Sequence, residues 1–361
     1  MLGQQVPLFA YAGSQEDGGL QTESGSTYER ILLLEGASEY TESEDGDALE
    51  VPETSEGRIQ LDDKMTQLLQ EENQTGRPEE EESADQEETP VPSADQFGFI
   101  RAAGRSQEYN WSYYQDFDAL IKEFYAVDAT TQASPARLNL DSLLGKTMAI
   151  TKNPDVPQIL IYHTHSQETY ADYGSENPEA TIVSCGEYLA ELLRDRGWNV
   201  IHDTGTYDIQ GGKLDRNRAY NYALDGITGI LQEHPEIQVI LDLHRDGVKE
   251  GTRLVSRVNG KDTARIMFFH GMSRTPEGEI AYLPNPHLKE NLAFAFQMQF
   301  AAEELYPGYT RKIYLKGLRY NLHLRGRSAL IEAGAQTNTL QEALNAMEPL
   351  AELLDRVLQG N

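Results

Sequence analysis

Residues 159–168 read Ile159-Leu160-Ile161-Tyr162-His163-Thr164-His165-Ser166-Gln167-Glu168. Four consecutive apolar residues predict a strand buried on both faces, as in parallel sheets. Working outward, Val239-Ile240-Leu241-Asp242-Leu243 predicts a second such strand. Trp198 to His202, Ile266-Met267-Phe268-Phe269 and Ala329-Leu330-Ile331 predict three more. Helical segments separate them. Residues 180–196 place Ile182, Cys185, Leu189, Leu192 and Leu193 on one face, and Gly197 closes the turn. Residues 118–125, 213–232, 287–305 and 340–358 read as further helices. Alternating strands and helices predict an α/β fold, a mostly parallel sheet with helices on both faces. No internal repeat is visible.

Ligands of open α/β sheets bind outside the carboxyl ends of the strands. Three predicted strands end in groups able to bind metal or move protons. They run into His163-Thr164-His165-Ser166-Gln167-Glu168, into His244-Arg245-Asp246, and into Glu332-Ala333-Gly334. The spacing of His165 and Glu168 lets both side chains meet one ion from a tight turn, and His244 supplies a third ligand from a neighbouring strand. A His-Glu-His set leaves a fourth tetrahedral position for water, as in catalytic zinc sites. Glu332 is then the candidate general base. His163 is the alternative to His165 as ligand, or a contact around the site. Asp242 and Asp246 are candidates for orienting a ligand imidazole; Asp246 otherwise caps a turn with Gly247. Arg245 is a candidate for holding a substrate carboxylate, against the plainer reading of a surface arginine. Asn321 and His323 are candidates to line the cleft. His270 follows an apolar strand and is a weaker candidate; His202, His234 and His287 read as structural or solvated. Cys185, on an apolar helix face, reads as an inert buried thiol.

The chain has 361 residues, enough for one large domain or two ordinary ones. Its net charge of −29 is concentrated at the start, where residues 1–100 carry 25 acidic and 4 basic side chains. That balance excludes non-specific nucleic-acid binding, which needs a basic surface. A single cysteine excludes an intrachain disulfide and a cysteine zinc cluster. Residues 1–95 are rich in Glu, Asp, Ser and Gly and include Glu79-Glu80-Glu81-Glu82, so they are expected to form a disordered acidic linker. Residues 96–153 are expected to lead in and pack on a catalytic domain spanning 154–361. No apolar run is long enough to span a bilayer, and residues 1–13 lack the basic region and apolar core of a signal peptide.

Tyr162-His163-Thr164-His165-Ser166-Gln167-Glu168-Thr169-Tyr170 resembles the YHTH-x-x-E-S-Y signature of the stage II sporulation protein P family, with Thr169 replacing Ser. Asp242-Leu243-His244-Arg245-Asp246, Leu318-Arg319-Tyr320-Asn321-Leu322-His323-Leu324 and Glu332-Ala333-Gly334-Ala335-Gln336-Thr337-Asn338-Thr339 resemble it in the expected order, over roughly residues 108–361. The family is similar in fold to the zinc-dependent N-acetylmuramoyl-L-alanine amidases, a hydrolase-like sheet fold of the phosphorylase/hydrolase kind. Carried over by position, the resemblance implies zinc on His165, Glu168 and His244, with Glu332 catalytic. The Glu ligand lies farther from the His in the amidases, which keeps Glu176, Glu179 and Glu187 as alternatives to Glu168.

The resemblance further implies peptidoglycan degradation during sporulation engulfment. The bond cut is the amide between N-acetylmuramic acid and L-alanine, with peptide cross-links as further targets. It implies work beside the stage II sporulation proteins D and M, on the outer side of the membrane at the sporulation septum. Family members carry an N-terminal membrane helix. None is present here, and a truncated start, with the acidic stretch as an extracytoplasmic spacer, is the expected explanation. The rival readings are a metallopeptidase of carboxypeptidase or endopeptidase type using the same site, and a catalytically silent wall-binding scaffold.

Overall fold

A computed structural model describes residues 113–214, 216–248 and 251–360. The predicted acidic linker, residues 1–95, lies outside the described residues, as do residues 96–112. Seven strands form the main sheet: β1 (Tyr125–Val127), β2 (Ile159–Tyr162), β3 (Val200–His202), β6 (Val239–Asp246), β9 (Ile266–Gly271), β12 (Ile313–Lys316) and β13 (Arg327–Ala335). Their order is β1-β12-β9-β13-β6-β2-β3. Three two-stranded ribbons accompany it: β4 (Ile209–Gln210) with β5 (Lys213–Leu214), β7 (Val255–Val258) with β8 (Lys261–Ala264), and β10 (Arg274–Thr275) with β11 (Gly278–Glu279). The helices are α1 (Phe117–Phe124), α2 (Leu140–Leu144), α3 (Ile182–Asp195), α4 (Ala219–Glu233), α5 (Leu288–Leu305) and α6 (Leu340–Gln359). The last is closed by a capping box between Thr339 and Glu342 and by Gly360 in the left-handed region. No described helix is long and apolar enough to cross a membrane.

Side chains alternate faces along a strand, and this divides the core. On one face Ile159, Ile161, Leu241, Leu243 and Ile331 pack against α3, α5 and α6 through Leu189, Leu193, Phe294, Met298, Leu350 and Leu354. On the other, Leu160, Tyr162 and Ile240 pack against Ala223, Ile227 and Leu231 of α4. The expected α/β architecture with helices on both faces is therefore present. Residues 113–153 contribute α1, α2 and the edge strand β1, which pairs in parallel with β12.

Two departures bear on the main sheet and on the helix that covers it. The helix expected over 213–232 begins at Ala219, because Gly211 and Gly212 (φ 57° and 78°) turn the chain into the β4–β5 ribbon first. β12, absent from the sequence reading, is a four-residue strand that alternates buried and half-buried.

The sheet also contains one reversal. Pairing is parallel everywhere except between β9 and β13, where Leu330 faces Phe269 and Ala333 faces Ile266. The carboxyl end of β9 therefore lies beside the start of β13, at the edge opposite Glu332. His270 sits there, fully buried next to Leu315 of β12. It is a core histidine.

Burial pushes the His270 imidazole down to about 4. Its ordinary value, about 6.5, holds in the unfolded chain. Between those values the unfolded chain binds the extra proton, so stability falls as pH drops through this window. His270→Leu removes that proton uptake. Urea unfolding at pH 7 and pH 5 should show the variant gaining on the parent by about 2 kcal/mol at the lower pH. An equal acid dependence in both proteins would refute this account of His270.

Candidate metal centre

β6 and β13 run parallel in register, with Asp242 beside Leu330 and His244 beside Glu332. In-register parallel neighbours project from the same face. Asp242, His244 and Glu332 therefore share the α4 face of the sheet. β2 ends at Tyr162, and residues 164–167 form a turn that carries His165 and Glu168 back over that face.

Three buried side chains converge there. One ligand atom each of His165, Glu168 and His244 lies within 4.8 Å of the others. His165 Nδ1 is 3.4 Å from Glu168 Oε1, and His244 Nδ1 is 3.7 Å from Glu168 Oε2. Two imidazoles and a carboxylate at this spacing could hold a metal ion; zinc sites draw on such donors. Burial alone would raise the Glu168 carboxyl, yet the two imidazoles hold it well below the usual carboxylate range. Burial works against a charged His244 as well, but Asp242 and Glu168 beside it raise its imidazole well above the ordinary value.

The surroundings set each candidate ligand in place. Asp242 accepts the Thr164 N–H at 2.9 Å and the Thr164 hydroxyl at 2.6 Å. Its Oδ1 also lies 2.9 Å from His244 Nε2, which leaves Nδ1 facing Glu168. Glu168 Oε2 accepts the backbone N–H of Arg245 at 2.8 Å. The Tyr170 hydroxyl donates to the carbonyl of Ala333, next to Glu332.

The remaining candidates separate. His163, the first residue after β2, projects from the opposite face and continues the alternation of Ile159 and Ile161 towards α3. Its Nδ1 donates to the Leu243 carbonyl at 2.8 Å, and its Nε2 lies 2.9 Å from His202 Nε2. His202 in turn is 2.7 Å from Glu187. The structure thus groups His165, and not His163, with Glu168 and His244. Glu187 is engaged on α3, and Glu176 and Glu179 are exposed. Arg245 directs its Nε to the Thr169 carbonyl at 2.9 Å and its Nη1 to the Asp246 carbonyl at 3.3 Å, so it braces the ligand turn. Asp246 pairs with Arg311 at 2.6 Å and caps the Gly247 N–H at 2.7 Å. Cys185 is buried, with its thiol pushed up to about 12.

Asn321 adopts a left-handed backbone (φ 56°) and donates to the Tyr220 carbonyl at 2.8 Å. Tyr220 opens α4. Its ring packs edge-on to His165 at 5.5 Å and lies nearly parallel to His244 at 6.4 Å. Nothing in its local sequence singles it out; it was one aromatic within an expected helix. Asn321 therefore acts on the site through Tyr220. His323 lies in a short 3₁₀ turn (Leu322–Leu324) that precedes β13. Burial and the nearby Arg319 and His287 push its imidazole down to about 3.

A family model, stage II sporulation protein P, matches residues 21–355. The chain belongs to this family. No curated protein matches it. Among solved structures, it is similar to the CwlD amidase of Clostridioides difficile in complex with the GerS lipoprotein, at 11% identity and a TM-score of 0.38, covering 56% of this chain and 100% of that one. It is also similar to an N-acetylmuramoyl-L-alanine amidase of Clostridium difficile 630, at 15% identity and a TM-score of 0.35, covering 57% and 96%.

A raised His244 has a consequence for metal uptake. With its imidazole raised, His244 holds a proton to higher pH than an ordinary histidine, and a metal bound through it would have to displace that proton. Apparent zinc affinity should therefore rise from pH 6 to pH 8. Calorimetry in buffers of different ionisation enthalpy should show a proton released on binding. Asp242→Asn should weaken zinc binding roughly tenfold to hundredfold, as loss of an outer hydrogen-bond partner does.

Proposed function

We propose that this protein is a zinc-dependent peptidoglycan hydrolase. It cleaves the amide between N-acetylmuramic acid and L-alanine in sporulation. The observation that carries the reading is the convergence of His165, Glu168 and His244 within 4.8 Å, with Glu332 in register beside His244. Membership of a sporulation family supports the biological setting.

His165, Glu168 and His244 would hold the ion. Zinc, when bound, polarises a carbonyl and lowers the pKa of water to roughly 7. Glu332 projects over the same face and takes the proton of the attacking water. Protonated, it then hands that proton to the departing L-alanine amine. Asp242 keeps the His244 tautomer and ring orientation; the Arg245 backbone N–H and guanidinium keep Glu168 and its turn in place. The Tyr220 ring walls the ligand imidazoles from one side. Residues 154–361 carry this chemistry, and residues 113–153 complete the sheet behind it. The membrane face of the sporulation septum, with the proteins D and M, is the setting the family suggests.

Purified peptidoglycan should be digested with the full chain, with and without zinc, and the products identified by mass spectrometry. Stem peptides with a free L-alanine amine should appear only with zinc. Glu332→Ala should lose at least two orders of magnitude in rate while still binding zinc. Intact stems with cut cross-links would move the assignment to an endopeptidase. The absence of products with zinc bound would support a wall-binding scaffold.

A further inference from the structure

Asp208 is completely buried and takes no part in the chemistry above. It stands in the loop leaving β3, at the root of the β4–β5 ribbon. Its Oδ1 accepts the Ser166 hydroxyl at 2.7 Å, and its Oδ2 accepts the Gln167 backbone N–H at 3.1 Å. Ser166 and Gln167 are the two residues that separate His165 from Glu168. One carboxylate thus grips the middle of the ligand turn. Asp242 grips the turn's start through Thr164, and the Arg245 N–H holds Glu168 at its end. Of these three points, only Asp208 belongs to neither the ligand turn nor the strand that carries His244.

We propose that Asp208 is a positioning residue for the metal site. It sets the His165–Glu168 turn in its ligand-holding shape before the metal arrives. The inference rests on the metal reading of the site. Two ligands from one four-residue turn converge only if the backbone between them is set; a turn free to move would have to be ordered by the ion, at a cost in affinity. A carboxylate suits the task because it is acceptor-only and offers two oxygens to two donors. Hydrogen bonds to an ionised acceptor are also the stronger kind. An asparagine keeps one acceptor and turns an NH₂ towards the other donor. The same carboxylate joins the turn to a ribbon whose Leu214 is 56% exposed, so the metal site and that surface ribbon share one anchor.

The test uses the full chain and zinc alone, titrated in competition with a chromophoric chelator. Asp208→Asn and Ser166→Ala should each bind zinc roughly tenfold to hundredfold more weakly. The double variant should lose less than the two single losses added together, because both changes act on the same Asp208–Ser166 contact. Urea midpoints of the metal-free proteins should stay close to the parent's, which separates positioning from a merely structural role. Amide exchange at Gln167 should accelerate in metal-free Asp208→Asn. Parental zinc affinity in both variants, or unchanged exchange at Gln167, overturns the proposal. If Asp208→Asn does not fold, Ser166→Ala decides alone, and parental affinity there overturns it. If the parent itself takes up no zinc, the metal reading falls and the role of Asp208 falls with it. Zinc uptake by the parent together with unaffected variants removes only the positioning role.

Discussion

The buried carboxylate of Asp242 is the contact on which the site depends. It accepts two hydrogen bonds from Thr164 and lies against His244 Nε2. In doing so it ties the point where β2 stops to the strand that carries a ligand. The ladder between β2 and β6 ends at the Tyr162–Asp242 pair. Beyond it, side chains take over from backbone. His163 continues the connection on one face through the Leu243 carbonyl, and Thr164 continues it on the other through Asp242. The turn that follows can then leave the sheet without losing its place. A buried carboxylate is costly unless its oxygens are satisfied, and here the satisfying groups are the ones that need to be positioned.

A second constraint is the reversal between β9 and β13. It splits the sheet into two parallel blocks whose carboxyl ends point to opposite edges. The rule that ligands gather at the carboxyl ends holds within the block β13-β6-β2-β3, which supplies Glu332, His244, His165 and Glu168. The other block ends at the far edge, where His270 is packed into the core and His323 lies before β13 begins. His270 looked eligible because a strand end in sequence carries no mark of which edge it faces.

The site is closed by aromatic packing. Tyr220 contacts both ligand imidazoles and Tyr320, and Tyr320 packs on Phe269 of β9. Tyr320 and Asn321 both take positive φ values, which bends the chain so that Asn321 reaches the Tyr220 carbonyl. One loop thereby links the start of α4 to the reversed block of the sheet. The three candidate ligands are thus held by a strand pair, a turn and an aromatic ring.

The apolar runs at 159–162, 239–243 and 329–331 and the helical spacing between them were sufficient to read the α/β architecture, because period and burial are local properties of the chain. The spacing of His165 and Glu168, and the placing of His244 and Glu332 after apolar strands, made the candidate site legible for the same reason. Choosing His165 over His163 needed the fold, since the two differ only in which face they reach once the strand has ended. The bracing role of Arg245, the pairing of Asp246 with Arg311, and the parts played by Tyr220 and Asp208 were invisible, for each depends on partners 40 or more residues away. Sequence alone determined which groups could do the chemistry, because donor identity and spacing along one turn are written locally. Tertiary structure alone decided which of them meet, because strand order, the β9–β13 reversal and buried side-chain partners are set by packing between segments distant in the chain.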